Sequence, residues 1–522
     1  MSEQKKITLA AGILSLATLI SRFAGLARDM VIATLFGAGF GSDAFFMAFT
    51  LPNLLRRFFA EGSLTAAFVP TFSQVREQQG EDAARRIMVL CWSLLAVVMV
   101  MVTMLGIVLA PGLVQMIAHG FGDIAGKLEL TVALTRIMFP YIFFVSLLAL
   151  LTGVLNVYGH YFVPAISPLV LNLAMIGSAL LFHQNFAVPV EALAWGVIVG
   201  GMLQLFMTLP VLRRYGLRLG WQWDWRDSTL RRIVLLMVPG IAGVAIYQIN
   251  VVVTRLLSSF LEQGSVSYLY YGQRLFEFPQ GIFIVSLAQA VLPTMSRQAA
   301  SGQLDEVKDS LRYALSLIVL VTLPAGTGLI VCAEPIFSQL FMQGAFGFSE
   351  VQQTARALAA YAPGLLFVGV SRVIVPTFYA LQDTRTPVWI SFWTLLANVV
   401  FGLLLMGPFQ HVGLAAALTL SSVVNSVVLL VMLRRKIGCL GIRSLALTTV
   451  KALLACGVMA LVVVQVLQFG QWSAGFTLLN ALILFAAVSG GVVSYLVVGR
   501  AVRISELKEV QALVLRKLRR RR

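Results

Sequence analysis

Long apolar runs, separated by short polar connections, follow one another along the whole chain. Each run is continuous over about 20 residues or more, the length that crosses a bilayer as a helix. Only helices and closed barrels satisfy the backbone inside lipid, and barrel strands would alternate apolar with polar residues. The pattern therefore predicts an all-α polytopic membrane protein.

Counting these runs predicts about 14 transmembrane helices, of which the first is read as a retained helix and not as a cleaved signal peptide. The predicted helices cover residues 8–34, 43–61, 86–110, 128–156, 162–182, 190–212, 232–260, 267–293, 310–333, 352–380, 387–406, 411–433, 445–467 and 475–499.

Basic residues are distributed unevenly between the connections. Taking the N-terminus as cytoplasmic, the even-numbered connections carry most of them, as in VREQQGEDAARR (75–86) and RRYGLRLGWQWDWRDSTLRR (213–232). The opposite connections carry almost none, and the one between helices 3 and 4 holds only Lys127. By the positive-inside rule, this predicts a multi-pass membrane protein with cytoplasmic N- and C-termini.

Composition agrees with this prediction and removes other classes of function. The chain is 59% hydrophobic, whereas soluble proteins are about 45–50% apolar. Its net charge of +17 is explained by topology and contact with anionic membrane lipids, so no nucleic-acid partner is expected. The four cysteines and four histidines are scattered, and no metal site, cofactor or catalytic motif is predicted.

An internal repeat divides the chain. Residues 41–73 match residues 264–296 at a constant offset of 223, and the same offset pairs Pro140 with Pro363 and Pro164 with Pro387. Each repeat holds six predicted helices, so both should enter the membrane from the same side as parallel repeats, with a substrate site between them. The predicted domains are 1–220 (N-lobe), 221–440 (C-lobe), 441–500 (helices 13 and 14) and 501–522 (basic cytoplasmic tail).

Charged residues inside the predicted helices indicate a function, because each costs about 2.5–3.5 kcal/mol at a helix centre. Arg57 and Glu61 are four residues apart, and Arg274 and Glu277 three apart, so each pair can neutralise itself on one helix face. The arginines without an acidic partner at those spacings are Arg22, Arg28, Arg56 and Arg372. Because guanidinium groups match phosphate oxygens, these favour a cationic cavity for an anion. Snorkelling, or ion pairs with acidic residues of other helices, is the structural alternative.

Several stretches resemble the MurJ (MviN) family of bacterial lipid II flippases, which belongs to the multidrug/oligosaccharidyl-lipid/polysaccharide exporter superfamily. The resemblance covers the whole chain and is carried by SRFAGLARD (21–29), FGAGFGSDAFFMAFTLPNLLRRFFAEG (36–62), AFVP (67–70), YYGQRLFEFPQG (270–281) and LQDTRTPV (381–388). It implies a fourteen-helix protein of the bacterial inner membrane in which two six-helix lobes flank a cationic cavity. Alternating access of that cavity would move lipid II from the cytoplasmic to the periplasmic leaflet. The resemblance also implies that helices 13 and 14 form a groove for the lipid tail.

The resemblance further implies the substrate-binding residues. They are Arg22, Arg28, Asp43, Arg56, Arg274 and Glu277. Two departures make a sodium site doubtful: some members carry an acidic residue before the helix 8 arginine, where this chain has Gln273, and an aspartate on helix 7, where this chain has Thr254. Protons or the membrane potential are then favoured as driving forces.

The residues alone leave the cargo open. An arginine cluster recognises phosphate and does not name the sugar, so export of another lipid-linked oligosaccharide or of drugs is the alternative function. The expected partner is lipid II, with anionic lipids around a monomer, and whether cell-wall synthesis complexes bind is left open. An enzyme is not expected, since the sequence has no paired carboxylates in a polar loop, no HExxH and no P-loop.

Overall fold

The computed structural model describes residues 3–58, 64–504 and 506–507, without side chains for residues 3–15, 66, 239–247 and 442. Contacts within the chain divide it into two compact units, Met1–Ser267 and Tyr268–Arg522. The predicted lobe boundary at 220/221 follows the sequence repeat, whereas this division follows contacts. The lobe assignment stays a prediction.

The regular secondary structure in the described residues of unit 1 is helical. The α-helices are α1 (Glu3–Phe36), α2 (Phe40–Arg56), α3 (Leu64–Gln79), α4 (Glu81–Ile117), α5 (Lys127–Met138), α6 (Tyr141–Val157), α7 (Phe162–Phe182), α8 (Glu191–Phe206), α9 (Leu209–Arg214) and α10 (Ser228–Ser259).

The helix α11 (Ser265–Pro279) begins at the boundary and continues into unit 2. The remaining helices are α12 (Val285–Ala300), α13 (Leu304–Val331), α14 (Ala333–Phe341), α15 (Phe348–Tyr361), α16 (Gly364–Ala380), α17 (Arg385–Ile437), α18 (Ile442–Leu467) and α19 (Leu478–Ala501).

The predicted class, an all-helical multi-pass membrane protein, is confirmed. Within the described residues, 9 helical segments are long and apolar enough to cross a membrane, or up to 10 if the bent pair α15–α16 forms one span. Every predicted span overlaps a helix. The predicted spans without a counted segment lie on α1, α2 and α10, where part of the chain or its side chains is outside the description.

Two helices occur where the sequence analysis predicted only connections. α3 ends in the polar residues VREQQ and α14 has only nine residues, so neither contains an apolar run of spanning length. The prediction was wrong there because hydropathy detects helices that face lipid along their whole length. α14 instead buries one face, which includes Phe337 and Phe341.

Both copies of the predicted repeat contain π-helical backbone at matching positions. α2 ends at Arg56 and is followed by π-helical residues 57 and 58, and α11 ends at Pro279, where a π-helical turn at 280–284 leads into α12. Subtracting the offset of 223 from that turn gives 57–61, of which 57 and 58 are the described residues. Pro70 and Pro293, which are 223 residues apart, lie inside α3 and α12. π-helical turns inside helices are frequent at functional sites.

The long helix α17 has two limbs, as the separate predictions for 387–406 and 411–433 require. The break is at Gln410, whose φ of 52° is non-helical. Thr394 donates to Asn425 at 3.1 Å, and Ser421 to Asn398 at 3.4 Å. Because these pairs are 31 and 23 residues apart, the second limb runs back along the first.

Two prolines inside helices free a backbone carbonyl that a neighbouring helix then satisfies. A proline lacks the N–H that would bond the carbonyl four residues earlier. In α4, Pro111 frees Ile107 O, which accepts from Arg136 Nε of α5 at 3.3 Å. In α13, Pro324 frees Leu320 O, which accepts from the Tyr495 hydroxyl of α19 at 3.0 Å. Each bond joins the proline-containing helix to its neighbour.

Candidate functional site

Arg28 lies on α1 and is buried, with only 5% of its surface exposed. Its Nε and Nη2 both donate to Asp29 Oδ1, at 3.0 and 2.6 Å, and its Nη1 donates to Asn172 Oδ1 of α7 at 3.1 Å. The acidic partner of Arg28 is the adjacent residue, Asp29, and not a residue three or four positions away, the spacings at which the sequence offered none. Arg28 therefore joins α1 to α7 through a neutralised charge.

Arg22 and Arg56 are both half-buried but differ in their surroundings. Arg56 lies at the end of α2, where its Nε and Nη2 donate to Asn53 Oδ1 at 3.1 and 3.0 Å. Arg22 lies on α1, and no hydrogen bond or ion pair joins it to another residue in the described part of the chain. The predicted pairing of Arg57 with Glu61 cannot be located, since Glu61 is outside the described residues.

Asp43, near the start of α2, accepts four hydrogen bonds. Its Oδ2 accepts from Lys127 Nζ at 2.9 Å and from the backbone N–H of Gly264 at 2.7 Å. Its Oδ1 accepts from the N–H and the hydroxyl of Ser267, at 3.0 and 2.6 Å. Both side chains of the ion pair are only 1% exposed. The carboxylate thus caps the N-terminus of α11, where anions are favoured by the unpaired N–H groups.

Lys127 is held on its other side by an aromatic ring, since its Nζ lies 4.3 Å from the centre of the Phe121 ring. A buried pair of this kind is tolerated only with good geometry and additional hydrogen bonds, both of which are present. Asp43 consequently has no lone pair left over for a ligand in this arrangement. Lys127 was not among the predicted site residues. The available signal was that it is the only basic residue in a connection expected to lack basic residues.

Arg274 and Glu277 on α11 form a looser pair in unit 2. Their side chains are 38% and 40% exposed, and Arg274 Nη1 lies 3.8 Å from Glu277 Oε2. Glu277 also accepts from Gln273 Nε2 at 3.0 Å, and the Arg274 guanidinium lies 6.0 Å from the Tyr270 ring centre. The predicted pairing at three residues' spacing is therefore present, just before the π-helical turn. Gln273, one of the two departures from the family motif noted in the sequence, thus holds Glu277 in place.

Thr254 on α10 is one of the two residues that made a sodium site doubtful in the sequence. The Thr254 hydroxyl donates to Asn250 O one turn earlier on α10 at 2.9 Å. Across the described residues, no group of three or more His, Cys, Asp or Glu side chains could hold a metal ion.

The motif LQDTRTPV (381–388) lies at the turn between α16 and α17 and joins the two ends of α17 through Asp383. Asp383 accepts from the N–H and hydroxyl of Thr386, at 3.0 and 2.9 Å, and from Lys436 Nζ at 2.6 Å. The bond from Lys436 is the main reason that the pKa of Asp383 is lowered to about 2. Since Thr386 and Lys436 lie near opposite ends of α17, this motif fastens the two limbs together at their outer ends.

The site residues therefore fall into two kinds. Arg28 and Asp43 are buried in pairs that fix helices to one another, whereas Arg22, Arg56 and Arg274 keep part of their guanidinium surface accessible. An accessible guanidinium can donate two parallel hydrogen bonds to a phosphate or carboxylate. Chemically, this arrangement can bind an oxyanion.

Comparison with known proteins gives consistent matches. The sequence model of the family described as "Lipid II flippase MurJ" matches residues 32–483. The "Probable lipid II flippase MurJ" of Vibrio cholerae is 35% identical over 432 residues, covering 81% of this chain and 82% of the relative.

Two solved structures share the fold. "Lipid II flippase MurJ, inward closed conformation" has a TM-score of 0.76 at 24% identity and covers 93% of this chain and 97% of its own. An inward-facing multidrug resistance MATE transporter of the MOP superfamily has a TM-score of 0.68 at 13% identity and covers 83% of this chain and 98% of its own. At these identities, the structural matches establish the fold alone.

Proposed function

This chain belongs to the MurJ family of lipid II flippases, and on that premise we propose that it carries lipid II from the cytoplasmic to the periplasmic leaflet of the bacterial inner membrane by alternating access. It is a transporter and not an enzyme. The direction, the mechanism and the residues that hold the substrate are the proposed part.

The observation that carries the proposal is the accessible Arg274–Glu277 pair beside the π-helical turn. At 3.8 Å and about 40% exposed, this pair is held weakly, since exposed ion pairs contribute only about 0–1 kcal/mol. A diphosphate can accept two short, parallel hydrogen bonds from the Arg274 guanidinium, whereas the nearest oxygen of Glu277 lies 3.8 Å away. An arriving substrate can therefore displace Glu277 from Arg274 at little cost.

We assign distinct roles to the six predicted residues. Arg22, Arg56 and Arg274 bind the diphosphate of the substrate, and Glu277 orients Arg274 before the substrate arrives. Arg28 and Asp43 are positioning residues, because their charges are already satisfied by buried partners. This division follows from exposure: a buried pair that lost its partner to a ligand would leave an uncompensated charge behind.

In alternating access, the substrate can shift the balance between two conformations only if it binds one of them more tightly than the other. Pro52 and the π-helical residues 57–58 at the end of α2, and the π-helical turn between α11 and α12, are suitable bending points, because a π-helical turn or a proline breaks the regular hydrogen bonding of a helix. Arg56 lies at the end of α2 and Arg274 two turns before the corresponding interruption, so bending would reorient both guanidinium groups.

The proposed setting follows the charge pattern of the connections. Both termini lie in the cytoplasm, the surrounding anionic lipids contact the basic connections, and the protein acts as a monomer. Helices α18 and α19 provide the surface for the lipid tail, in keeping with their many exposed apolar side chains, for example Leu461, Phe485 and Val497.

The proposal is tested by transport in proteoliposomes that contain lipid II or another polyprenyl-diphosphate glycan, with and without an imposed membrane potential. We expect transport of lipid II, and its loss when Arg274→Ala is introduced. Equal transport of both glycans would contradict the assigned specificity, and unchanged transport by Arg274→Ala would contradict the assigned site.

A further inference from the structure

The connection between α9 and α10 carries three exposed tryptophans. We call residues 215–227 the tryptophan segment. Trp221, Trp223 and Trp225 are 64%, 58% and 48% exposed. Exposed apolar side chains are ordinary on helices that face lipid, but this segment is not helical. It begins directly after Arg214, where a candidate membrane span ends.

The tryptophan segment is fastened to α4 by three contacts. The N–H of Gln222 donates to the buried Ser93 hydroxyl at 3.1 Å. Arg86 Nη2 lies 3.0 Å from Asp224 Oδ2 and 3.6 Å from Asp227 Oδ2. Asp227 also caps α10 by accepting from the N–H groups of Thr229 and Leu230 at 2.9 and 3.0 Å. The tryptophans are thus presented on an ordered surface.

The charge around the tryptophan segment is strongly positive. Residues 213–232 contain six arginines and two aspartates, a net charge of +4. Both aspartates are already bonded to Arg86 or to backbone N–H groups. All six arginines are exposed, and Arg231 is fixed to the segment because its Nε donates to Trp225 O at 2.9 Å. The six are Arg213, Arg214, Arg218, Arg226, Arg231 and Arg232.

We propose that the tryptophan segment and its arginines form a binding site for the headgroups of anionic phospholipids. Indole rings favour the boundary between hydrocarbon and headgroups, and guanidinium groups donate paired hydrogen bonds to phosphate. The segment supplies both groups where the chain leaves a membrane span, and its own acidic residues do not compete. Naming the leaflet as cytoplasmic rests on the proposed topology, whereas the site itself does not.

A lipid ligand is favoured over a protein partner because the tryptophan segment directly follows a candidate membrane span. The span from Glu191 to Arg214 ends at the first two arginines of the cluster, so lipid headgroups are adjacent to the site in every state of the protein. Near an anionic surface, each arginine strengthens binding by about fivefold. We therefore expect a preference for anionic over zwitterionic lipid that depends on the arginines.

The test uses tryptophan fluorescence of the full chain in nanodiscs of phosphatidylcholine and phosphatidylglycerol, with bromine on one lipid or the other. Brominated phosphatidylglycerol should quench the wild-type protein at a lower mole fraction than brominated phosphatidylcholine. The difference between wild type and the triple variant Trp221→Phe, Trp223→Phe, Trp225→Phe isolates the signal of the segment. The quantity to compare is the mole fraction of brominated phosphatidylglycerol that quenches half of the segment's signal. In the double variant Arg226→Gln, Arg231→Gln, this mole fraction should rise about fivefold for each arginine removed.

The matched control is Trp389→Phe with Trp393→Phe. These tryptophans are 62% and 59% exposed at the start of α17, near Arg385 but outside the six-arginine cluster. Their signal should be quenched equally by both brominated lipids. The proposal is overturned if the segment signal shows no preference for phosphatidylglycerol, which would indicate a protein partner, or if the arginine variant keeps the preference. Thermal unfolding of each variant separates misfolding from loss of lipid, and transport assays remain an independent readout of the proposed function.

Discussion

The Asp43–Lys127 pair and the Arg274–Glu277 pair show two opposite ways of keeping charge in a membrane protein. In the first, the charged atoms are 2.9 Å apart, both side chains are 1% exposed and every carboxylate oxygen accepts further hydrogen bonds. In the second, the atoms are 3.8 Å apart and the side chains are about 40% exposed. The first pair is therefore suited to hold helices and the second to exchange partners.

The position of a charge in the sequence therefore does not reveal its use. Asp43 and Glu277 were both predicted as substrate-binding residues from the same kind of motif. Asp43 is buried in an ion pair, however, whereas Glu277 is about 40% exposed. The repeat does not predict this either, since Asp43 corresponds at the offset of 223 to Val266, and Arg274 to Leu51. The helices follow the repeat, whereas the charges do not.

Lys127→Met should produce the largest effect. It leaves the buried Asp43 carboxylate without its counter-charge, which typically costs about 3–5 kcal/mol. We expect a strongly lowered melting temperature in detergent and reduced membrane levels. The double variant Asp43→Asn, Lys127→Met removes both charges and should recover part of that loss. If the single variant is as stable as wild type, the pair does not hold these helices.

Arg274→Gln should have the opposite profile, with little effect on stability and a large effect on function. Losing a charge-assisted hydrogen bond to a diphosphate costs about 1.5–3 kcal/mol, or about 10–100-fold in affinity. Lipid II binding and transport in proteoliposomes measure this loss. Glu277→Gln is the matched control, and we expect it to bind lipid II at least as tightly as wild type. Equal losses in both variants would show that the pair acts as a structural unit.

Arg28→Lys tests the intermediate case. Lysine keeps the charge beside Asp29 but cannot also donate to Asn172, so we expect a loss of about 1 kcal/mol in the free energy of unfolding. Transport should fall only in proportion to the amount of folded protein. Normal thermal stability together with abolished transport would instead place Arg28 in contact with the substrate.

Asp383→Asn should have the smallest effect, about 0.2–1 kcal/mol, because its pair with Lys436 lies at the surface. The pKa of Asp383 is lowered to about 2, below the ordinary value of about 3.9. Its contribution is therefore present above about pH 4 and is lost as the pH falls towards 2. Unfolding of wild type and variant, compared at pH 7 and pH 3, measures this. A difference in stability that does not shrink on acidification would exclude the ion pair as its cause.

Much of the fold could be predicted from the sequence because lipid imposes a simple rule on it. The prediction 162–182 has the same bounds as α7, and the separation of two limbs at GPFQ agrees with the break at Gln410. α3 and α14 were not predicted because neither contains an apolar run long enough to cross the membrane. The partners in the candidate site escaped for a different reason: Lys127 lies 84 residues from Asp43, and Asn172 lies 144 residues from Arg28. No local spacing encodes such contacts.

The bond from Tyr495 to the carbonyl that Pro324 frees has an evolutionary consequence. The hydroxyl is needed only while the proline is present, since any other residue at position 324 would return that carbonyl to its own helix. The two positions should therefore covary among relatives, with phenylalanine accepted at 495 where the proline is missing. The same reasoning joins Pro111 to Arg136, so an intramembrane arginine can persist through many lineages as the companion of a bend, without ever touching the cargo.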